Sequence, residues 1–181
     1  MASKRGCICL TLILLAIVAT CQLGCGTGRT SAASAPAVQA PGLGQGVTTA
    51  EVGAAMAAAA RVGGDPRRIR VLHLALKELG KKGKLGGMGP DVWDCSGLVQ
   101  HCYAKVGLRL PRVTFDQVKV GTEVTRKDLL PGDLLLFWRD SHVGMYIGSG
   151  LMIHAFGKVK VDKFSKYAHS VSAIRRVIPG P

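Results

Sequence analysis

The segment most informative about the fold is Trp93-Asp94-Cys95-Ser96-Gly97-Leu98-Val99-Gln100, which continues as HCYAKVG to Gly107. Its apolar residues recur at the spacing of a helix with one face in a core. Asp94 is a typical N-cap residue and Gly107 a typical C-terminal stop. Cys95 therefore falls at the first helical position, where unpaired amides and the helix dipole favour a thiolate. We predict a reactive thiol with a lowered pKa at this helix start.

Outward from this stretch, the chain predicts helices first and strands afterwards. An upstream helix begins at Asp65 and Pro66 and carries an apolar stripe formed by Ile69, Leu72, Leu76 and Leu79. Downstream, short connections join five apolar runs that predict strands: LLPGDLLLFW, HVGMYIG, LMIHAF, KVKV and AIRRVI. Short connections favour antiparallel pairing. The expected fold class is α+β, with the N-terminal helices packed on an antiparallel sheet.

The N-terminal third of the chain is expected to lie outside the folded domain. Residues 1–24 combine early basic residues with an apolar run too short to span a membrane, which is the pattern of a secretory signal peptide. Residues 25–64 are rich in Ala, Gly and Pro and predict a mostly disordered tether, although the Ala-rich part favours a short helix. The folded domain is predicted over residues 65–181.

Two cysteines compete as the site of a lipid anchor. The sequence ending Leu-Gly-Cys25 resembles a bacterial lipoprotein box, although Gln22 stands where such boxes usually carry Leu. The rival box before Cys21 has a suitable Val18 but an unusual Thr20. We favour lipidation of Cys25 and expect an exported protein, anchored to a membrane of the cell envelope or else periplasmic or secreted.

The chain of 181 residues has a formal net charge of +13, which favours an anionic partner or simply a soluble surface. Nucleic acid is excluded as a partner because an exported chain with few aromatic residues carries no binding motif for it. A cell-wall polymer or a membrane surface fits the expected compartment. No pattern in the sequence indicates an oligomeric state.

A reactive thiol needs a base, and two histidines lie in the predicted sheet. His142 opens HVGMYIG and His154 lies in the next strand, so antiparallel pairing brings the two side chains close together. If the sheet packs on the Cys95 helix, a Cys-His-His line forms. The alternative is that these residues bind a metal, which is disfavoured because no close ligand pair is present. We expect neither a metal nor an organic cofactor.

Three separated motifs carry a resemblance to a known family. DCSGLVQHCYAKVGLRLPR, LLPGDLLLFW and SHVGMYIGSGLMIHA resemble, in order and spacing, the NlpC-type cell-wall cysteine peptidases, over roughly residues 66–178. The resemblance implies a papain-like fold in which Cys95 is the nucleophile, His142 the general base and acid, and His154 the residue that orients His142. It also implies peptidoglycan stem peptides as substrate, typically cut between D-glutamate and a diamino acid.

The residues flanking the nucleophile are expected to contact the substrate. These residues are Asp94, Ser96 and Gly97. For Gly97, tight packing inside the protein is an equally good explanation of the missing side chain.

The chain departs from the family just upstream of the cysteine. Where the family usually reads Tyr-x-Trp-Gly-Gly, this chain has Gly83-Lys84-Leu85-Gly86-Gly87. Both aromatic residues are absent, at Gly83 and Leu85. An oxyanion donor and one wall of the substrate groove are therefore expected to be missing, and removing one such donor typically costs about 100- to 1000-fold in rate.

We interpret the chain as a peptidoglycan hydrolase, a cysteine endopeptidase acting on amide bonds. Two alternatives remain open. One is a weak or inactive wall-binding lipoprotein with the same fold, and the other is a Cys-His acyltransferase or amidase with a different substrate. The presence of Cys95, His142 and His154 together argues against the binding protein, and product analysis would identify acyl transfer.

Overall fold

A computed structural model describes residues 40–181. The helices α1 to α4 are Thr49–Arg61, Arg67–Leu76, Cys95–Ala104 and Thr114–Gln117. The strands β1 to β8 are Lys82–Gly83, Val92–Trp93, Thr122–Glu123, Leu134–Phe137, His142–Gly148, Leu151–Phe156, Lys158–Lys163 and Val171–Arg176. Short 3₁₀ segments are Arg126–Asp128 and Phe164–Ser170.

The strands form one sheet in the order β2-β1-β7-β6-β5-β4-β8-β3. Every pairing is antiparallel except the short one between β1 and β2. The predicted α+β class is confirmed, and the five apolar runs correspond to β4 to β8. Strands β1 to β3 have two residues each, too few to leave a period-two pattern in the sequence.

Helix α3 packs on one face of the sheet and buries its apolar side there. Leu98, Val99, Cys102 and Tyr103 are each at most 1% exposed. Burial raises the pKa of Cys102 to about 12, so this second thiol is inert at neutral pH. Cys95, at the helix start, is partly buried and packs against this core.

The core face of α2 differs from the predicted stripe. Its buried residues are Val71, Leu72 and Ala75 together with Arg68. The guanidinium of Arg68 lies 3.2 Å from the buried carboxylate of Asp133. Of the predicted stripe, Leu72 is buried and Leu76 and Leu79 pack against the core, whereas the buried Arg68 on the same helix could not be predicted from apolar periodicity.

The chain before residue 65 also differs from the prediction. Residues 40–64 are not a disordered tether: Leu43 pairs with Val161 beside β7, and α1 packs against β5 with Val52 and Ala55 buried. Thr48 and Glu51 form a capping box at the start of α1. The short helix that the Ala-rich run favours is present as α1, but its packing on the sheet was not predicted, because small side chains contribute little apolar bulk.

The other predictions for the N-terminus lie outside the described residues. They are the signal peptide over residues 1–24, lipidation of Cys25 and the tether up to residue 39. Across residues 40–181, the helices are too short or too polar to cross a bilayer.

Candidate active site

Cys95 and His142 border the same surface cleft, which has a volume of about 280 Å³. Cys95 is the first residue of α3, and His142 is the first residue of β5, on which α3 packs. The other residues that line the cleft are Gly83, Lys84, Leu85, Trp93, Asp94, Ser141, Ala155, Phe156 and Gly157. The cleft thus opens where the helix start meets the strand start.

A line of hydrogen bonds runs from His142 into the protein. His142 Nε2 lies 2.8 Å from His154 Nδ1, and His154 Nε2 lies 3.1 Å from Asp162 Oδ2. His154 and Asp162 are 1% and 2% exposed. Since Nε2 of His142 is engaged, Nδ1 is the ring nitrogen left to take a proton from Cys95.

Asp162 was not predicted as part of the site. The run KVKVDK places Val159 and Val161 on the core face, which puts Lys160 and Asp162 on the face that carries His154. This alternation was visible in the sequence. The position of Asp162 beside His154 was not, because it depends on the register between β6 and β7.

Burial raises the pKa of the Cys95 thiol, and the charge of Asp94 adds to this. The amides of Val143 and Ser96 favour the thiolate but do not outweigh burial. The predicted lowering of this pKa was therefore wrong for the resting site. The helix start does supply favourable amides, but the sequence could not show how deeply the sulfur is buried.

Burial is also the main influence on the two histidines. Together with the charges of His154 and Lys160, it lowers the pKa of His142 to about 3. Burial lowers the pKa of His154 as well, although its hydrogen bond to Asp162 opposes the shift. At neutral pH both the Cys95 thiol and the His142 imidazole are therefore neutral in the resting site.

The depressed histidine pKa values predict how stability depends on pH. The unfolded chain takes up protons on these histidines below about pH 6.5, while the folded chain does not. The two buried histidines therefore make their full contribution to the free energy of unfolding above about pH 6.5. This contribution is lost as the pH falls toward their pKa values in the folded state. Urea unfolding should show a loss of up to about 1.4 kcal/mol per pH unit for each histidine. His142→Gln should remove about half of this slope, whereas a free energy of unfolding that stays flat from pH 7.5 to 5 would contradict the burial argument.

Hydrogen bonds within the protein fix the residues that flank Cys95. Asp94 caps α3 by accepting from the Gly97 amide at 2.6 Å, and its second oxygen accepts from the Gly86 amide at 2.8 Å. Arg112 forms an ion pair with Asp94 and donates to Ser96 Oγ at 3.0 Å. Burial would raise the pKa of Asp94, but hydrogen bonds from Arg112 and these amides outweigh it and lower the pKa.

The expected substrate contacts of Asp94, Ser96 and Gly97 stay a prediction, and the structure shows what these residues contact within the protein. The side chains of Asp94 and Ser96 are engaged inside the protein, although Asp94 borders the cleft. A Cβ at Gly97 would lie 2.4 Å from the carbonyl oxygen of Gly87, so the glycine is needed for close packing of the loop. All three residues hold Cys95 in place. Arg112, which sequence reasoning missed, joins them from a loop that carries no spacing signal.

Arg112→Ala should destabilise the hydrogen-bonded arrangement of Asp94 and Ser96. Asp94 would remain buried without its charged partner, and because Arg112 is 30% exposed we expect a modest loss of about 1–2 kcal/mol in the free energy of unfolding. The rate of Cys95 alkylation should change as well. Arg109→Ala removes an exposed arginine from the same loop and should stay within about 0.5 kcal/mol of the wild type. Equal effects of the two substitutions would refute the role of Arg112.

The structure explains why one family aromatic cannot stand in this chain. A Cβ at Gly83 would lie 2.8 Å from the carbonyl carbon of Gly157, so the backbone excludes any side chain there. Leu85 is 95% exposed at the rim. On the other side of the cleft, the Phe156 and Trp138 rings lie 5.5 and 5.4 Å from the His142 ring. The aromatic residues that line the cleft itself are Phe156 and Trp93.

Within the part of the chain that the structure describes, no three histidine, cysteine or carboxylate side chains converge to hold a metal ion. A helix-start cysteine and a histidine at the start of an antiparallel strand line one cleft, and this arrangement is typical of the papain-like fold class. Residues 80–176 match the model of the NlpC/P60 family, and the chain belongs to that family.

Relatives and solved structures agree with this assignment. The chain is 43% identical over 94 residues to a protein named probable endopeptidase Mb2213c of Mycobacterium bovis, covering 51% of this chain and 24% of the relative. It thus spans about a quarter of the length of such a curated relative. NlpC2 from Trichomonas vaginalis superposes with a TM-score of 0.60 at 35% identity, over 66% of this chain and 49% of that one.

A further neighbour differs in activity. RipD from Mycobacterium tuberculosis superposes with a TM-score of 0.54 at 26% identity, covering 64% of this chain and all of that one. It is described as a non-catalytic NlpC/p60 domain protein adapted to peptidoglycan binding. The fold therefore occurs both in proteins named as endopeptidases and in a protein that binds without turnover.

Proposed function

We propose that the protein is a cysteine endopeptidase that hydrolyses amide bonds in peptidoglycan stem peptides. The observation that carries this proposal is the placement of Cys95 and His142 in one cleft, with His142 backed by His154 and Asp162. Relatives named as endopeptidases support the same conclusion. We further propose export and lipidation at Cys25, which would keep the domain beside the wall.

The reaction begins with proton transfer inside the cleft. His142 Nδ1 takes the thiol proton while the sulfur of Cys95 bonds to the amide carbonyl carbon, and the carbonyl electron pair moves onto oxygen. The first amides of α3 face this developing oxyanion. When the intermediate collapses, the C–N bond breaks and His142 gives its proton to the leaving amine.

The second half returns the enzyme to its starting state. The first half leaves a thioester on Cys95, and a water molecule attacks its carbonyl carbon while His142 takes a proton from the water. The C–S bond breaks, the new carboxylic acid leaves, and the sulfur recovers its proton from His142. No external oxidant, reductant or co-reactant is needed.

A wall-binding protein without turnover is the second candidate. The absence of an aromatic at Gly83, the raised pKa of Cys95 and the likeness to RipD favour it. The intact line from His142 to Asp162 favours the enzyme, because binding alone makes no demand for an oriented base.

Product analysis in ¹⁸O water separates the candidates. The full chain is incubated with purified peptidoglycan and short muropeptides, and the products are read by mass spectrometry beside a heat-denatured control. Hydrolysis predicts new fragments in which one ¹⁸O atom enters the new carboxylate. New conjugates without ¹⁸O would identify an acyltransferase. Wall pull-down without any fragments would identify a binding protein, and either result would overturn the proposal.

A further inference from the structure

Asp162 gathers three hydrogen-bond donors on one buried oxygen. Its Oδ2 lies 2.7 Å from the Tyr167 hydroxyl, 3.1 Å from His154 Nε2 and 3.1 Å from Lys160 Nζ. Burial would raise the pKa of Asp162, but the hydrogen bonds from these three groups outweigh burial and hold the pKa below its usual range. The side chain is therefore an ionised carboxylate at neutral pH, which accepts hydrogen bonds and donates none.

An acceptor at this place determines where the protons lie on both histidines. His154 must carry its proton on Nε2 to donate to Asp162, so its Nδ1 is a lone-pair acceptor. His142 must then carry its proton on Nε2 to donate to His154 Nδ1, which leaves His142 Nδ1 unprotonated. The protonation of His142 Nδ1 is thus decided by a carboxylate two hydrogen bonds away.

We propose that Asp162 is a positioning residue that fixes the tautomers of His154 and His142 so that His142 Nδ1 is the base facing Cys95. Its importance for turnover rests on the proposed peptidase function, whereas the tautomers themselves do not.

The second oxygen of Asp162 lies close to Gly44, a residue far away in sequence. A Cβ at Gly44 would lie 1.9 Å from Asp162 Oδ1 and 2.7 Å from the carbonyl oxygen of Val161. Gly44 also donates its amide to that carbonyl at 2.7 Å. Gly44 precedes the family match over residues 80–176. A residue outside that match therefore packs against the end of the hydrogen-bonded line that runs from His142 to Asp162.

The first test reads the tautomers directly in the unmodified protein. Nitrogen-15 NMR of the histidine rings in the full chain at pH 7 should show His154 and His142 both protonated on Nε2 and unprotonated on Nδ1. This measurement needs no variant and no substrate. Finding the Nδ1-protonated form of either ring in the wild type would overturn the proposal even if the protein cleaves peptidoglycan.

Two substitutions at Asp162 separate positioning from simple structural support. Asp162→Ala leaves Lys160 and Tyr167 to donate toward His154 Nε2, which favours protonation on Nδ1 and reverses both rings. We expect kcat to fall about 10²- to 10⁴-fold with KM nearly unchanged. Asp162→Asn keeps an acceptor oxygen and should retain the tautomers and lose less than about tenfold. Tyr167→Phe leaves Asp162 able to accept from His154, so it is the matched control and should behave like Asp162→Asn.

Gly44 provides an independent test from outside the site. Gly44→Ala should displace the carboxylate and lower kcat by about tenfold or more, since a displacement of about 1 Å can cost as much as about 100-fold. Gly53→Ala is the control, because a Cβ there meets nothing within 4 Å.

Wild-type tautomers and kcat in Asp162→Ala would overturn the proposal. If NMR shows the expected tautomers but no muropeptide is cleaved, the proposal about Asp162 holds and the proposed peptidase function is contradicted.

Discussion

Cys95→Ala should abolish the release of muropeptide fragments, lowering kcat by about 10⁴-fold or more, because Cys95 is the thiol that borders the cleft and would form the thioester. The variant should fold normally, since Cys95 lies at the helix start and its removal leaves the Asp94 cap intact. Fragment release is measured by mass spectrometry, and folding by thermal unfolding.

Cys102→Ala is the matched control for the first prediction. It removes a thiol from the same helix, but Cys102 is fully buried and its pKa is raised to about 12. Its removal should lower stability without changing kcat by more than about threefold. If Cys95→Ala released the same fragments as the wild type, or if only Cys102→Ala were inactive, the assignment of the nucleophile would be wrong.

His142→Ala should lower kcat by about 10²- to 10⁴-fold with little change in KM, because the base acts in the transition state more than in binding. The variant should regain rate as pH rises, since the thiol must then ionise without help. Burial raises the pKa of Cys95, so this recovery should begin only above about pH 8.5. His169→Ala, at an exposed site in the 3₁₀ segment, should match the wild type.

The pH profile of the wild type supplies a separate check on His142. Because burial holds its pKa well below the usual value, kcat/KM should stay level from pH 8 down to below pH 6 instead of falling near pH 6.5. A fall centred at pH 6.5 that disappears in His142→Ala would show that the imidazole is more exposed to water than the structure indicates.

Local pattern predicted the parts of the fold that local chemistry determines. Asp94 and Gly107 bracket a helical apolar face, so α3 was readable, and β4 to β8 are long enough to show their apolar character. Helix α1 was underestimated because Ala contributes little apolar bulk, and the two-residue strands β1 to β3 carry no period at all. Arg68 escaped prediction because its ion-pair partner, Asp133, is distant in sequence.

The candidate site, like the fold, was predictable only where local sequence determines the position of a residue. Cys95, His142 and His154 each stand at a recognisable point of a helix or strand, and the structure brings them together. Asp162 and Arg112 depend on strand register and on a loop, which one sequence does not specify. The direction of the Cys95 pKa shift was mistaken because it depends on burial, a property of the packed domain.

Because Gly83 lies against Gly157, the two aromatic residues of the usual family sequence cannot be restored equally easily. Putting tyrosine at position 83 alone would drive its Cβ into the backbone between β6 and β7, so any gain in catalysis would come with a damaged sheet edge. Tryptophan at position 85 faces no such barrier, because Leu85 stands in solvent. Evolution or a protein designer can therefore change one of the two positions in a single step, whereas the other first requires a different turn at Gly157.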